Sequence, residues 1–166
     1  FTGGEGIIGF ADGILIGTGN IMDVVGPNDS SSQSTNHGRP GDPGLTQLAG
    51  QPTYDAAILS FDFVPTGNMV EFKYVFSSEE YNEYVGGYND VFAFYVNGQS
   101  CATVGGQPVS VNSINNDSNA HLFVDNTNGQ LNTQMDGLTV VLTCTAEVTP
   151  GQTNTMLFKI ADARDG

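Results

Sequence analysis

No tryptophan occurs among the 166 residues, and only four side chains are basic, Arg39, Lys73, Lys159 and Arg164, against 18 acidic ones. The resulting net charge of −14 argues against nucleic acid and anionic lipid as partners, because both are polyanions and would be repelled. No apolar run reaches the roughly 18 residues that a membrane-spanning helix needs, so direct membrane insertion is not expected. Histidine is nearly as scarce. His37 and His121 are the whole supply, with no HExxH pair and no GxSxG elbow beside them, which argues against zinc enzymes and nucleophilic hydrolases. The glycine-containing stretch at residues 17–20 is followed by neither a helical pattern nor a lysine, so it does not read as a phosphate loop. No leader segment precedes Phe1, and the chain reads as a mature product or an excised fragment. Cysteine is limited to Cys101 and Cys144, in no CxxC or zinc spacing. In an oxidising compartment they would close one disulfide; the other reading is two separately buried thiols.

What is present is glycine, 22 residues of it, together with many Asn, Ser and Thr, a composition nearer to an extracellular β-protein than to a cytosolic enzyme. A single domain over residues 1–166 can bury about 70 per cent of its unfolded surface, enough for an ordinary core. Period-two alternation marks half-buried strands. It appears at residues 57–64, where Leu59, Phe61 and Phe63 share a face, at 69–76 through Val70, Phe72, Tyr74 and Phe76, and at 91–96 through Phe92, Phe94 and Val96. Asn97-Gly98 is a strong hairpin signal, pairing 91–96 with the segment around 101–104. Further short strands are expected at 109–114 and 121–124, and a hairpin of 137–148 with 155–160 about Pro150-Gly151. Two short strands around Asp12-Gly13 are expected near the N-terminus. Residues 26–53 read as a long loop rich in Ser, Asn, Gly and Pro, pinned by one helical turn through Leu45 and Leu48. The sum is about ten short strands, mainly antiparallel, in a two-sheet, jelly-roll-like β-sandwich.

The densest chemistry lies at residues 76–96, FSSEEYNEYVGGYNDVFAFYV. Glu79, Glu80 and Glu83 crowd one short segment, and Asn89-Asp90 return after Gly86-Gly87. Neighbouring carboxylates about 4 Å apart repel by roughly 1 kcal/mol even in water, and by more in a poorer dielectric. A cation among them relieves this. Oxygen-only ligands suit a hard ion, calcium before magnesium. The bland reading is a solvated acidic loop, but strands on both sides anchor this one. Glu79, Glu80, Asn89 and Asp90 are the first candidates for metal ligands.

The same stretch, preceded by TYDAAILSFDFVPTGNMVEFKYV, resembles the hallmark of the choice-of-anchor L family of bacterial surface proteins. GILIGTGNIMDVVGPN at 13–28, QPVSVNSIN at 107–115 and TVVLTCTAEVTPGQTNTMLFKIADARD at 139–165 match in family order. The resemblance implies an extracellular, cell-surface all-β module without assigned catalysis, with partners of the adhesin kind. It also implies one further apolar strand after residue 166. A sheet lacking that strand would offer an open edge, which a neighbouring subunit or domain could complete by strand addition, as in an extracellular filament. The resemblance and the local chemistry together add Asp162 to the ligand set, with Asp55 and Asp165 less firmly placed.

Tyr81, Tyr84 and Tyr88 carry a second expectation, since tyrosine gives large contact area for little lost entropy. Held by the ion, they would face a protein or glycan ligand; alternatively they plug the end of the sandwich. A carbohydrate-active hydrolase remains the reading from another class, using Glu79 with Glu83, or Glu71 with Asp62, as its carboxylate pair. Lys73 and Lys159 lie mid-strand and read as outward-facing guards of a strand face.

Overall fold

The computed structural model describes residues 1–164, so Asp165 lies outside the described residues. The alternating segments become eleven strands: β1 (Thr53–Phe63), β2 (Met69–Tyr74), β3 (Ser77–Ser78), β4 (Val91–Val96), β5 (Gln99–Ser100), β6 (Thr103–Val104), β7 (Gln107–Ser110), β8 (Phe123–Asp125), β9 (Gly137–Thr139), β10 (Leu142–Glu147) and β11 (Asn154–Ala163). Two short helices, α1 (Glu5–Ile8) and α2 (Pro43–Ala49), complete the elements used below. The main sheet runs β1-β11-β4-β7-β6, with β5 also on β4; β10 pairs with β2, and β9 lies between β3 and β8. All of these pairings are antiparallel. The fold is an all-β sandwich.

Its core is aromatic because each alternating strand contributes a ring to the same interior. Phe94 of β4 and Phe158 of β11 are cross-strand partners and stack with centroids 4.3 Å apart. Phe72 of β2 covers both from the opposite layer, at 5.0 Å from each. Such pairs contribute about 0.5–1.5 kcal/mol each beyond area burial. Cys101 and Cys144 are disulfide-bonded, with Cα atoms 5.5 Å apart. The bond joins the turn after β5 to β10, and so ties the main sheet to the layer above it.

β4 is buried on both faces rather than one. Phe94 and Val96 enter the sandwich core, while Val91 and Ala93 meet Leu45 and Ala161 on the reverse side. The cover there is α2, which the long loop supplies. Leu45 is fully buried, as its helical turn required, whereas Leu48 stays exposed. Asp42 caps α2 by accepting from the Leu45 N–H at 3.0 Å. Its other oxygen accepts from Lys159 Nζ at 2.7 Å. Lys159 therefore departs from the expected outward guard: it is a half-buried anchor for the helix. Burial raises the Asp42 carboxyl, but the Lys159 bond and the helix N–H groups hold it below its ordinary value.

Several local expectations change because partners come from distant sequence. The N-terminal residues form no hairpin; α1 occupies Glu5–Ile8 and a single bridge joins Thr2 to Asp12. Their apolar side chains instead line a groove of about 350 Å³ against Phe61, Phe72 and Phe158. Asn97-Gly98 does turn the chain, into β5, but the longer neighbour of β4 on that side is β7, and β6 pairs with β7. The 109–114 strand stops at Ser110, where the chain turns and the Ile114 N–H returns to the Ser110 carbonyl. The strand expected at 121–124 starts only at Phe123, after a 3-10 turn over Ala120–Leu122. The clearest correction is at Pro150-Gly151. β10 pairs with β2, while β11 pairs with β1 and β4, so the connection crosses between layers. Asn154, 2 % exposed, holds this corner by donating to the Thr149 and Gln152 carbonyls and accepting from the Thr149 N–H.

Candidate functional site

The acidic stretch leaves β2, makes the two-residue strand β3 against β9, and reaches β4 through a run of turns. This brings Glu80 and Asp90 to the end of β11, where Asp162 lies. The three carboxylates line one cleft of about 280 Å³ together with Asp23, Tyr84 and Tyr88. Among the described residues, no Lys, Arg or His lines it. Asp90 knits its floor: one oxygen accepts from the Ala163 N–H at 3.1 Å and the other from Ser78 Oγ at 2.9 Å. Ser78 Oγ in turn accepts from the Glu80 N–H at 3.0 Å. Across the cleft, Thr35 Oγ1 donates to Asp23 Oδ2.

Glu79 reaches the cleft wall but its carboxylate has a second set of neighbours. Its Oε1 accepts from the Gln33 N–H at 2.8 Å, while its Oε2 is buried without a hydrogen-bond partner. Burial pushes the group up to about 7; the Gln33 N–H and the Gln134 amide oppose this, and the charges of Asp136 and Glu83 add to it. Asp136 is raised too, first by burial and then by Glu83 and Asp125, against the bond from Asn28. Glu83 was grouped with Glu79 from the sequence, whereas Asp136, which lies across the β3–β9 ladder, was not. For Asp136 no local signal existed, since it stands as an isolated acid before β9.

The other sequence candidates separate. Asn89 is 7 % exposed and does not line the cleft; it donates to the Ala49 carbonyl at 3.3 Å and accepts from the Asn112 N–H at 3.0 Å. It joins α2 to the turn after β7. Asp55 is likewise a framework group, accepting from the His37 and Arg39 N–H groups. Tyr81 is fully buried, with its ring 4.7 Å from that of Phe123, so it fills the sandwich end. Burial raises its hydroxyl, with the Asp90 charge adding to the effect. Tyr84 and Tyr88 remain at the cleft, edge to face at 5.4 Å, and the Arg164 guanidinium lies over Tyr88 at 5.6 Å.

Oxygen-rich and without lining cations, the cleft has the donor chemistry of a hard-ion site. Among the described residues, no three His, Cys, Asp or Glu side chains are gathered into a ready-made metal centre. An ion there would take two carboxylates at most without side-chain movement, with hydroxyl, carbonyl and water oxygens making up the rest. Among the described residues no helix is long and apolar enough to cross a membrane.

No curated protein and no solved structure matches the chain. The family described as Choice-of-anchor L domain matches residues 1–166, the whole chain. The name of that family points to surface-associated modules, and the family is not known for catalysis. An all-β sandwich closed by a disulfide, with an acidic cleft at one end and a family match over its full length, belongs to the choice-of-anchor L domain family.

Proposed function

We propose that this domain is an extracellular, calcium-binding and non-catalytic module that holds a protein or glycan ligand at a bacterial cell surface. The observation that carries the reading is the convergence of Glu80, Asp90 and Asp162 on one oxygen-rich cleft. Calcium there offsets their mutual repulsion and stiffens the 79–90 turns. Tyr84 and Tyr88 then meet a partner as a fixed aromatic pair, with little conformational entropy to lose. Calorimetric titration with calcium, followed by a glycan array and a hydrolysis assay on the same sample, tests this. Calcium uptake, retention of a surface ligand and absence of turnover are expected; turnover lost in Glu79→Gln or Glu83→Gln would assign the domain to the hydrolases instead.

A second reading has its own observation. Among the described residues β2 and β10 pair only with each other, and beside β2 runs the 350 Å³ apolar groove that the irregular N-terminal segment covers, with Ile14 80 % exposed. A second copy whose own N-terminal segment entered this groove as a strand would make the domain a filament subunit. Light scattering over a concentration series tests it: a constant monomer mass would remove it.

A further inference from the structure

Four buried side-chain oxygens among the described residues have no hydrogen-bond partner: the acceptors Glu79 Oε2, Asn82 Oδ1 and Asp136 Oδ2, and the Tyr81 hydroxyl. The two carboxylate oxygens only accept while ionised, and within the set the Tyr81 hydroxyl and the Asn82 amide are the groups able to donate. Leaving a buried acceptor unpaired costs about 1–3 kcal/mol, and more when it is charged. Asp136 is the most enclosed of the three acceptors, 2 % exposed.

The backbone register brings Glu79 and Asp136 together. Ser78 pairs with Gly137, and continuing the antiparallel ladder by one step sets Glu79 opposite Asp136 on the same face. Directly opposed side chains have Cβ atoms about 4.5–5.5 Å apart, and like charges in that position are destabilising. Asn82 and Glu83 follow within the same set of turns, and Glu83 acts electrostatically on both carboxyls. Three of the four basic side chains are engaged elsewhere: Lys73 with Glu71, Lys159 with Asp42, and Arg164 over Tyr88.

The surrounding loops are built to hold this arrangement. Asn126, fully buried, donates to the Thr133 and Met135 carbonyls and accepts from the Leu131 N–H, shaping the loop that delivers Asp136. Asn28 donates to Asp136 Oδ1 at 2.7 Å and to the Asn126 carbonyl at 3.0 Å. Gln134 donates to the Ser30 carbonyl at 2.6 Å, and Gln33 holds Glu79 Oε1. Asp136 thus has one oxygen fixed by a protein donor and the other without one, while Glu79 is held by the Gln33 N–H and neighboured by the Gln134 amide.

We propose that Glu79, Asn82 and Asp136 form a second divalent-cation site, sharing the Glu79 wall with the cleft of Glu80, Asp90 and Asp162. Two carboxylates with an amide oxygen, completed by carbonyl and water oxygens, are the ligand class of calcium; magnesium demands a more regular octahedron and sheds water reluctantly. The ion fastens the 79–83 turns to β9 and the 28–35 loop, so it acts as a clamp between three distant stretches of chain.

The test is calcium calorimetry, supported by terbium luminescence sensitised by tyrosine, on the intact domain and on two variant sets with unchanged circular dichroism. Asp136→Asn and, separately, Asn82→Ala remove the proposed site; Glu80→Gln with Asp162→Asn removes the cleft. Two ions per chain are expected in the parent, and one in each set, with the affinity of the lost site falling roughly tenfold or more. Asp136→Asn and Asn82→Ala titrating like the parent would overturn this site whatever the cleft does. If those variants lose an ion while Glu80→Gln with Asp162→Asn does not, the second site stands and the cleft reading fails. Uptake of no ion at all would refute both and leave Glu79 and Asp136 sharing a proton.

Discussion

Glu79→Gln should change the stability of this domain in opposite directions with and without calcium. Burial holds the Glu79 carboxyl at about 7, above the ordinary 4.5, so the folded state binds its proton more tightly than the unfolded chain does. The contribution is fully present below about pH 4.5 and is lost as pH rises through 7. At 1.36 kcal/mol per unit the difference of 7 − 4.5 sets an upper bound near 3 kcal/mol, and partial solvent screening reduces this to about 1–2 kcal/mol. Glutamine is neutral at every pH and keeps an acceptor for the Gln33 N–H. In chelator at pH 8 the variant should therefore melt about 2–8 °C above the parent, at roughly 2–4 °C per kcal/mol for a domain of this size. Calcium at about 100 times its dissociation constant adds roughly 2.7 kcal/mol to the parent and less to the variant, so the order reverses. Differential scanning calorimetry in chelator and in calcium, at pH 5 and pH 8, reads all four values. A variant less stable than the parent in chelator at pH 8, or equally shifted by calcium, would refute the reasoning.

Asp42→Ala removes the cap of α2 and leaves Lys159 half-buried and unpaired, so urea denaturation should show a loss of about 3–5 kcal/mol; adding Lys159→Met should restore much of it. Replacing Cys101 and Cys144 by serine opens a loop of 43 positions, for which the chain-entropy relation gives about 4 kcal/mol, measurable as a lower urea midpoint. Gly137→Ala would place a Cβ 2.5 Å from Tyr81 Cδ2 and 2.6 Å from Phe123 Cε2. The rings must move, so a loss of about 1–3 kcal/mol and a weakened near-ultraviolet tyrosine signal are expected.

Strand positions were legible because alternation is local: Val70, Phe72 and Tyr74 reveal a half-buried strand whatever covers them. Asn97-Gly98 announced its turn for the same reason, since the left-handed backbone there, φ 50° and 78°, suits those two residues. Pro150-Gly151 also marks a real turn, yet the strands beside it do not pair. A turn signal specifies that the chain reverses, and Asn154 together with the hydrogen bonds from Val148 and Gly151 to the Asn68 and Pro65 carbonyls decides which layer it enters. β4 looked one-sided because the residues that bury its reverse face, Leu45 above all, sit in a stretch whose composition reads as loop.

The sequence by itself determined an acidic all-β chain, the crowding of Glu79, Glu80 and Glu83, and the candidacy of Asp90, because composition and local charge density need no partner to be read; Asp162 joined them through the family resemblance and its local chemistry. Only the tertiary structure decided that Glu80 shares a cleft with Asp90 and Asp162 while Glu79 also faces Asp136, that Asn89 and Tyr81 belong to the framework, and that two cysteines far apart in the chain meet across the layers. The physical reason is that carboxylate chemistry depends on neighbours within a few ångströms. In an antiparallel sheet those neighbours are chosen by register between distant segments, which no local pattern in either segment contains.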